Sequence, residues 1–357
     1  MRNIYLQIPS SISDSSRLAL ATVTRTEGST PQKSGSSALF GKQGLVAGTI
    51  GGGVLEGRVQ SIAIGSIDTK MPVHRIFRLD TSASDGEDAL CGGRITVLVD
   101  PEIEKHAKIF ESLKKSYESR IPGVLITLVT EAGVNNTVIS RYWATENDKR
   151  GIPEELKALV GPEIKSLISG NDSYDFRELK LPETRDKSSQ SLFLEPVIPA
   201  PRLVIAGAGH IGKALSQIGR MLDFEVTVID DRQEFANPEN IPWANNIITG
   251  DIGSSVEKIE KGHDTYIVIV TRGHRDDGNA LKACIGTDAA YIGMIGSKTK
   301  VALMHREFIE KGWATEQQWD RIFAPIGLDI RSKTVEEIAV SIAAQLVQVK
   351  NWRDHDK

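Results

Sequence analysis

One stretch of glycines constrains this chain more than any other feature. Arg202 to Ala206 (RLVIA) is a short, mostly apolar run that opens directly onto Gly207-Ala208-Gly209-His210-Ile211-Gly212. Lys213 to Leu222 then shows helical spacing, and Glu225 to Ile229 (EVTVI) reads as a second strand ending in Asp230 and Asp231. A GxGxxG between a strand and a helix, with an acid about 20 residues on, is a dinucleotide-binding fingerprint. Each glycine has a physical task. Gly207 permits the tight turn, Gly209 lets a phosphate approach the backbone, and Gly212 lets helix and strand pack closely. The N–H groups at the helix start favour an anion.

The wound pattern continues after this unit. Asn246 to Ile248, Thr265 to Val270 and Tyr291 to Ile295 read as strands, and a helix is expected from about Gly278. The second half is therefore expected to be a Rossmann-type, doubly wound parallel sheet. Ligands in such sheets bind beyond the carboxyl ends of the strands. Arg272, His274, Arg275 and Asp276 fall at one such end, suited to anion binding and proton transfer, or to a salt-bridged surface turn. Lys298 falls at a strand-to-helix turn, placed either to meet a phosphate or, as is commoner, as a solvated surface lysine. Asp230 suits a ribose 2′-hydroxyl, and Arg232 complicates that preference. A bland reading also stands, in which the glycines serve packing alone and His210 is a solvated loop residue. Thr334 is expected to cap a helix running to about Val349, with Glu336 and Glu337 in its first turn.

The first half reads as mixed α+β. Strands are expected at Leu18 to Thr24, Val73 to Leu79, Arg94 to Val99, Val124 to Val129, Val138 to Trp143 and Ser191 to Val197. Ala38 to Phe40 and Leu45 to Val46 flank the turn Gly41-Lys42-Gln43-Gly44 and predict a hairpin. A helix or turn is expected near Ser11 to Arg17. Further helices are expected at Val54 to Ile67, Glu102 to Ser119 and Pro153 to Ile168. Asn171 to Gln190 is polar and charged and reads as linker. Pro199 and Pro201 punctuate the chain, so domains of residues 1–198 and 199–357 are expected, giving an α/β protein overall.

Composition removes several classes. The chain has 357 residues, 40% hydrophobic, with 43 basic against 47 acidic residues and a net charge of −4. That balance argues against disorder and against nucleic acid as a main partner. A membrane helix needs about 20 mainly apolar residues, and the best continuous run, Tyr266 to Val270, is strand length. The N-terminus lacks the apolar core of a secretory signal. Only two cysteines are present, Cys91 and Cys284. A disulfide framework is excluded, and a reducing cytoplasm is the expected setting. Cys284 falls in a helical run and reads as core. Cys91 lies between an acidic loop and a strand.

Several segments, in order, resemble one family. They are Gly48-Thr49-Ile50-Gly51-Gly52-Gly53 with Leu55-Glu56, Cys91-Gly92-Gly93, the GAGHIG at Gly207 to Gly212, the TRGH at Thr271 to His274, and Pro325 to Ile330 (PIGLDI). The chain is similar to the XdhC/CoxI family of xanthine dehydrogenase accessory factors, from about Leu18 to about Gln348. The resemblance implies a maturation factor for molybdenum hydroxylases. Such a factor binds the molybdenum cofactor (molybdopterin), supports exchange of an oxo for a sulfido ligand by a cysteine desulfurase, and delivers the product to the apoenzyme. A nucleotide extending the pterin, or NAD(P), is a further expected ligand, with neither half singled out to hold the cofactor, and a homodimer is the expected assembly. A chaperone of this kind needs no turnover.

In that light, Gly51, Gly52 and Gly53 would expose backbone N–H groups to a bulky anion, and Glu56 would bond pterin nitrogens. Cys91, beside Gly92 and Gly93, offers a soft thiolate to molybdenum or to sulfur transfer. Plainer readings remain for each: a tight turn, a salt bridge at the helix start and a small buried thiol. The chain departs from the family in having Arg331-Ser332 where members often have Gly-Ala, and in lacking a Cys near Gly53 and Val54. The alternative class is an NAD(P)-dependent oxidoreductase using the Rossmann half, which would have no need of the GGG and CGG motifs.

Overall fold

The computed structural model describes residues 4–13, 17–79, 92–133, 136–169, 175–182 and 188–351. The chain divides into two compact units, Met1–Pro199 and Ala200–Lys357.

The first unit contains, in order, α1 (Ile8–Ser13), β1 (Leu18–Glu27), β2 (Ser37–Gly41), β3 (Gly44–Gly48), α2 (Gly53–Thr69), β4 (Val73–Arg78), β5 (Arg94–Asp100), α3 (Ala107–Glu118), β6 (Gly123–Glu131), β7 (Thr137–Thr145), α4 (Glu154–Ser169), β8 (Arg177–Lys180) and β9 (Ser189–Val197). Two antiparallel sheets result, ordered β3-β2-β1-β5-β4 and β7-β6-β9-β8. Period-2 alternation sorts their side chains. Ala19, Ala21 and Val23 of β1 face α2, whose Leu55, Val59, Ala63 and Ile67 recur every fourth residue. Leu18 and Leu20 face the other way, toward α3 and Leu125 of β6. The remaining face of the second sheet, Val124, Ile126, Leu192 and Leu194, is covered by Val160 and Ile164 of α4.

A polar seam runs inside this unit. Tyr5, on a short 3-10 turn before α1, donates its hydroxyl to Glu195 Oε2 at 2.6 Å. Ser37 Oγ stands 3.0 Å from the same hydroxyl. Arg141 of β7 and Asp100 of β5 form an ion pair, with side chains 2% and 3% exposed. A cavity of about 10 Å³, the size of one water, lies among Tyr5, Thr22, Thr127, Arg141 and Glu195. Burial pushes the Glu195 carboxyl up to about 8. Burial also works against the charged form of Asp100, but Arg141 outweighs it and holds that carboxyl below its ordinary range.

The second unit contains β10 (Arg202–Ala206), α5 (His210–Met221), β11 (Glu225–Asp230), β12 (Asn246–Thr249), α6 (Ile252–Lys258), β13 (Thr265–Ile269), α7 (His274–Lys282), β14 (Tyr291–Met294), α8 (Lys298–Glu310), α9 (Glu316–Trp319) and α10 (Val335–Lys350). Its five strands are parallel in the order β12-β11-β10-β13-β14. The order reverses at β10, which carries the glycine turn, and gives the Rossmann half-fold its crevice. Parallel strands are buried on both faces. Leu203 and Ile205 pack toward Leu215 of α5 and Ile342 and Leu346 of α10. Val204 and Ala206 pack toward α6, α7 and α8 through Val256, Leu281 and Phe308. Cys284 is fully buried in that second core, and burial pushes its thiol up to about 12.

The PIGLDI segment is pinned to α10. Gln345 Oε1 accepts from Gly327 N–H at 2.8 Å and from the Tyr291 hydroxyl at 2.6 Å, and Ser341 Oγ donates to Leu328 O at 2.6 Å. Thr334 and Glu337 form a reciprocal capping box at the start of α10.

Some elements differ from the sequence expectation. The helix expected over Glu102 to Ser119 is a 3-10 turn at Ile103–His106 followed by α3. The first helix lies at Ile8–Ser13, ahead of the expected Ser11 to Arg17. Helix α7 begins at His274, four residues before Gly278, and Asp276 and Asp277 occupy its first turn, where acids are favoured. Strand β8 emerges from the expected linker because Arg177–Lys180 pair with Leu194–Ser191 of β9.

Candidate functional site

Each unit presents a glycine-built surface. In the first unit the glycines flank the polar loop between β1 and β2. Gly51 has φ +132°, and a Cβ there would meet Pro31 Cγ at 2.8 Å. A Cβ on Gly93 would meet Ser29 O at 2.2 Å and Glu27 O at 2.7 Å. The GGG and CGG motifs, 40 residues apart in sequence, therefore both close on residues 27–31. Gly52 and Gly53 differ from Gly51. Their φ values of +69° and +57° require glycine, yet no atom lies within 4 Å of a built Cβ, so the backbone there is open. Glu56, in the first turn of α2, accepts from Thr49 Oγ1 at 2.7 Å and from Ile50 N–H at 3.3 Å through Oε2. It ties the glycine turn to the helix. Gly92 also faces open space. Cys91 lies outside the described residues.

In the second unit the crevice gathers Gly207, Gly209, His210, Gly212, Asp230, Arg272 and His274 beyond the carboxyl ends of β10, β11 and β13. Gly207 has φ +118°, and a Cβ there would strike Val270 O at 2.4 Å. A Cβ on Gly212 would lie 1.8 Å from Gly207 O. Both glycines are thus demanded by packing. Gly209 has open space before it and an ordinary backbone, φ −67°. Packing does not demand a glycine there, in contrast to Gly207 and Gly212. His210 opens α5 and is exposed.

The charged groups of the crevice are paired among themselves. Asp230, 2% exposed, accepts from Ala208 N–H at 2.8 Å and takes three donors from Arg232. Burial opposes its charge, but the Arg232 side chain and the two backbone N–H groups outweigh it and lower its pKa. Arg272 donates to Asp231 Oδ2 at 2.9 Å and stands 3.9 Å from Asp276. His274 Nε2 lies 3.5 Å from Glu307. Lys298 is exposed in the first turn of α8, just after the capping Ser297.

Sequence reasoning missed the residue that holds the TRGH turn. Asp277 is fully buried, accepts from Thr271 Oγ1 at 2.6 Å and from Thr271 N–H at 3.2 Å, and is ion-paired with Lys300. Its signal was its place in the first turn of a helix following a buried strand. Among the described residues no group of three or more His, Cys, Asp or Glu is arranged to hold a metal ion. At Gly52, Gly53 and Gly209 a Cβ would meet no atom within 4 Å, so no side chain bars an approach to the backbone there.

A Rossmann unit with a glycine-lined crevice follows an antiparallel α+β unit with its own open glycine turn, which places the chain among two-unit α/β proteins. Family models narrow this further. The XdhC Rossmann domain matches residues 203–346, and the XdhC and CoxI family matches residues 12–79. The chain belongs to the XdhC and CoxI family. It is 24% identical over 98% of both chains to a Bacillus subtilis (strain 168) protein named as a probable subunit of xanthine dehydrogenase. It is 35% identical over 164 residues to YqeB of Escherichia coli (strain K12), an uncharacterized protein. That match covers 46% of this chain and spans only 30% of YqeB's length. Its fold matches a crystal structure of a xanthine dehydrogenase from Bacillus halodurans, with a TM-score of 0.73 and 21% identity, over 99% of this chain and 98% of that one. No helix among the described residues is long and apolar enough to cross a membrane.

Proposed function

We propose that this chain is an accessory factor of xanthine dehydrogenase-type molybdenum hydroxylases, which binds molybdenum cofactor as cargo, supports its sulfuration and delivers it to the apoenzyme. The observation that carries the reading is the family match, which falls in both units and takes in Gly51–Gly53 of the first and the glycine crevice of the second. The open space at Gly52, Gly53 and Gly209 supports it, because no side chain would bar a bulky anion from the backbone there. On this reading the chain's own residues bind and orient. Glu56 fixes the glycine turn of the first unit, and Asp230 and Asp277 fix the two turns of the second. Cys91, next to Gly92, would supply the thiolate. The sulfur would come from a cysteine desulfurase, in the cytoplasm, with the chain acting as a homodimer.

The test is retention. Purified chain mixed with molybdenum cofactor and desalted is expected to keep a fluorescent pterin, and calorimetry with NAD and NADH would run beside it. Tight NAD binding with no pterin retained would favour a nicotinamide-dependent oxidoreductase and contradict the proposal.

A further inference from the structure

We infer that Arg232 closes the ribose corner of this Rossmann fold, so that Asp230 clamps the glycine turn and does not read a ribose diol. A carboxylate offers about four lone-pair sites. All four are taken here. Oδ1 accepts from the Arg232 backbone N–H at 3.0 Å and from Arg232 Nε at 2.9 Å. Oδ2 accepts from Ala208 N–H at 2.8 Å and from Arg232 Nη2 at 3.0 Å. The guanidinium is held from its other side by Phe235, whose ring centroid lies 3.8 Å away. A planar group gripped at its edge by a bidentate carboxylate and at its face by an aromatic ring has little freedom to leave.

A ribose hydroxyl of NAD would have to displace Arg232 and leave its donors to water. Selection against such an analogue is steep when it strands charged partners. Nor is the corner built for a 2′-phosphate. Arg232 and Arg272 are the cations there, and Asp230, Asp231 and Asp276 face them within 4 Å, so carboxylates outnumber guanidiniums. What stays available in the crevice is the backbone around Gly209, which recognises a phosphate or pyrophosphate without reading an adenosine ribose.

The experiment is calorimetric titration of NAD and, separately, NADP into the full chain and into Arg232→Ala. Arg232→Ala is expected to bind NAD at least about tenfold more tightly than wild type, the worth of one charge-assisted hydrogen bond recovered. Phe235→Leu, which keeps the arginine and removes its platform, is expected to tighten NAD about threefold and decides the matter if Arg232→Ala does not fold. NAD bound equally by all three, or by none, overturns the inference. So does NADP binding wild type tenfold better than NAD with that preference lost in Arg232→Ala, because Arg232 would then be a phosphate reader. Pterin retention is measured on the same preparations. Its failure in wild type would count against the proposed cargo while leaving the role of Arg232 standing.

Discussion

Glu195→Gln isolates the most unusual charge in the first unit. The Glu195 carboxyl rises from its ordinary 4.5 to about 8, first through burial, with the Tyr5 hydrogen bond and Arg141 pulling the other way. Its folded pKa lies above its unfolded one, so the folded chain binds the extra proton between those values. Stability from this group is therefore fully present below about pH 4.5 and is lost as pH rises toward 8. Over that span, at about 1.4 kcal/mol per pH unit, the loss reaches about 5 kcal/mol as an upper bound. Glutamine keeps an acceptor for the Tyr5 hydroxyl and cannot ionise. The variant is expected to match wild type near pH 5 and to exceed it by several kcal/mol at pH 8. Hydrogen exchange of β6 and β9 amides, compared at equal pH, reads this in the first unit alone. Parallel pH curves for the two proteins would refute the reasoning, because Glu195 would then titrate normally or remain paired as an anion.

Four other outcomes are expected. Gly212→Ala should cost the second unit about 3 kcal/mol or more in thermal unfolding, since its Cβ would sit on Gly207 O, whereas Gly209→Ala should stay within about 1 kcal/mol and weaken pterin retention. Lys300→Met should cost about 3 kcal/mol by leaving Asp277 buried and uncompensated, seen as faster hydrogen exchange at Thr271 and in the first turn of α7. Thr334→Ala should cost about 1 kcal/mol and loosen the start of α10. Cys91→Ala should weaken pterin retention, and unchanged retention would reduce Cys91 to a packing residue.

The Rossmann unit was legible because its signals are local. RLVIA, the GxGxxG and EVTVID lie within 30 residues, and the motif spacing alone marks the turn, although the clash that demands Gly207 comes from Val270 at the end of a distant strand. Thr334 was legible for the same reason, as a cap beside its own helix. Strand β8 was not legible. Arg177–Lys180 carries no apolar alternation, and it is a strand only because β9 pairs with it. Nor did sequence show that Gly51 and Gly93 close on the same loop, which follows from the insertion of β1 between β2 and β5. Asp230 was recognised as the fingerprint acid, but its saturation by Arg232 is a matter of side-chain geometry. Asp277 was passed over because a polar HRDD run reads as surface until the buried strand before it turns the second aspartate inward.

The most direct test of the proposed role is transfer. The chain, loaded with molybdenum cofactor and freed of excess by desalting, is mixed with a cofactor-free xanthine dehydrogenase-type hydroxylase. Pterin is then followed by gel filtration alongside hydroxylase activity. The account predicts that pterin leaves this chain for the hydroxylase and that activity returns faster than with the same amount of free cofactor. Pterin that never co-elutes with the chain, or activation no faster than from free cofactor, would contradict it.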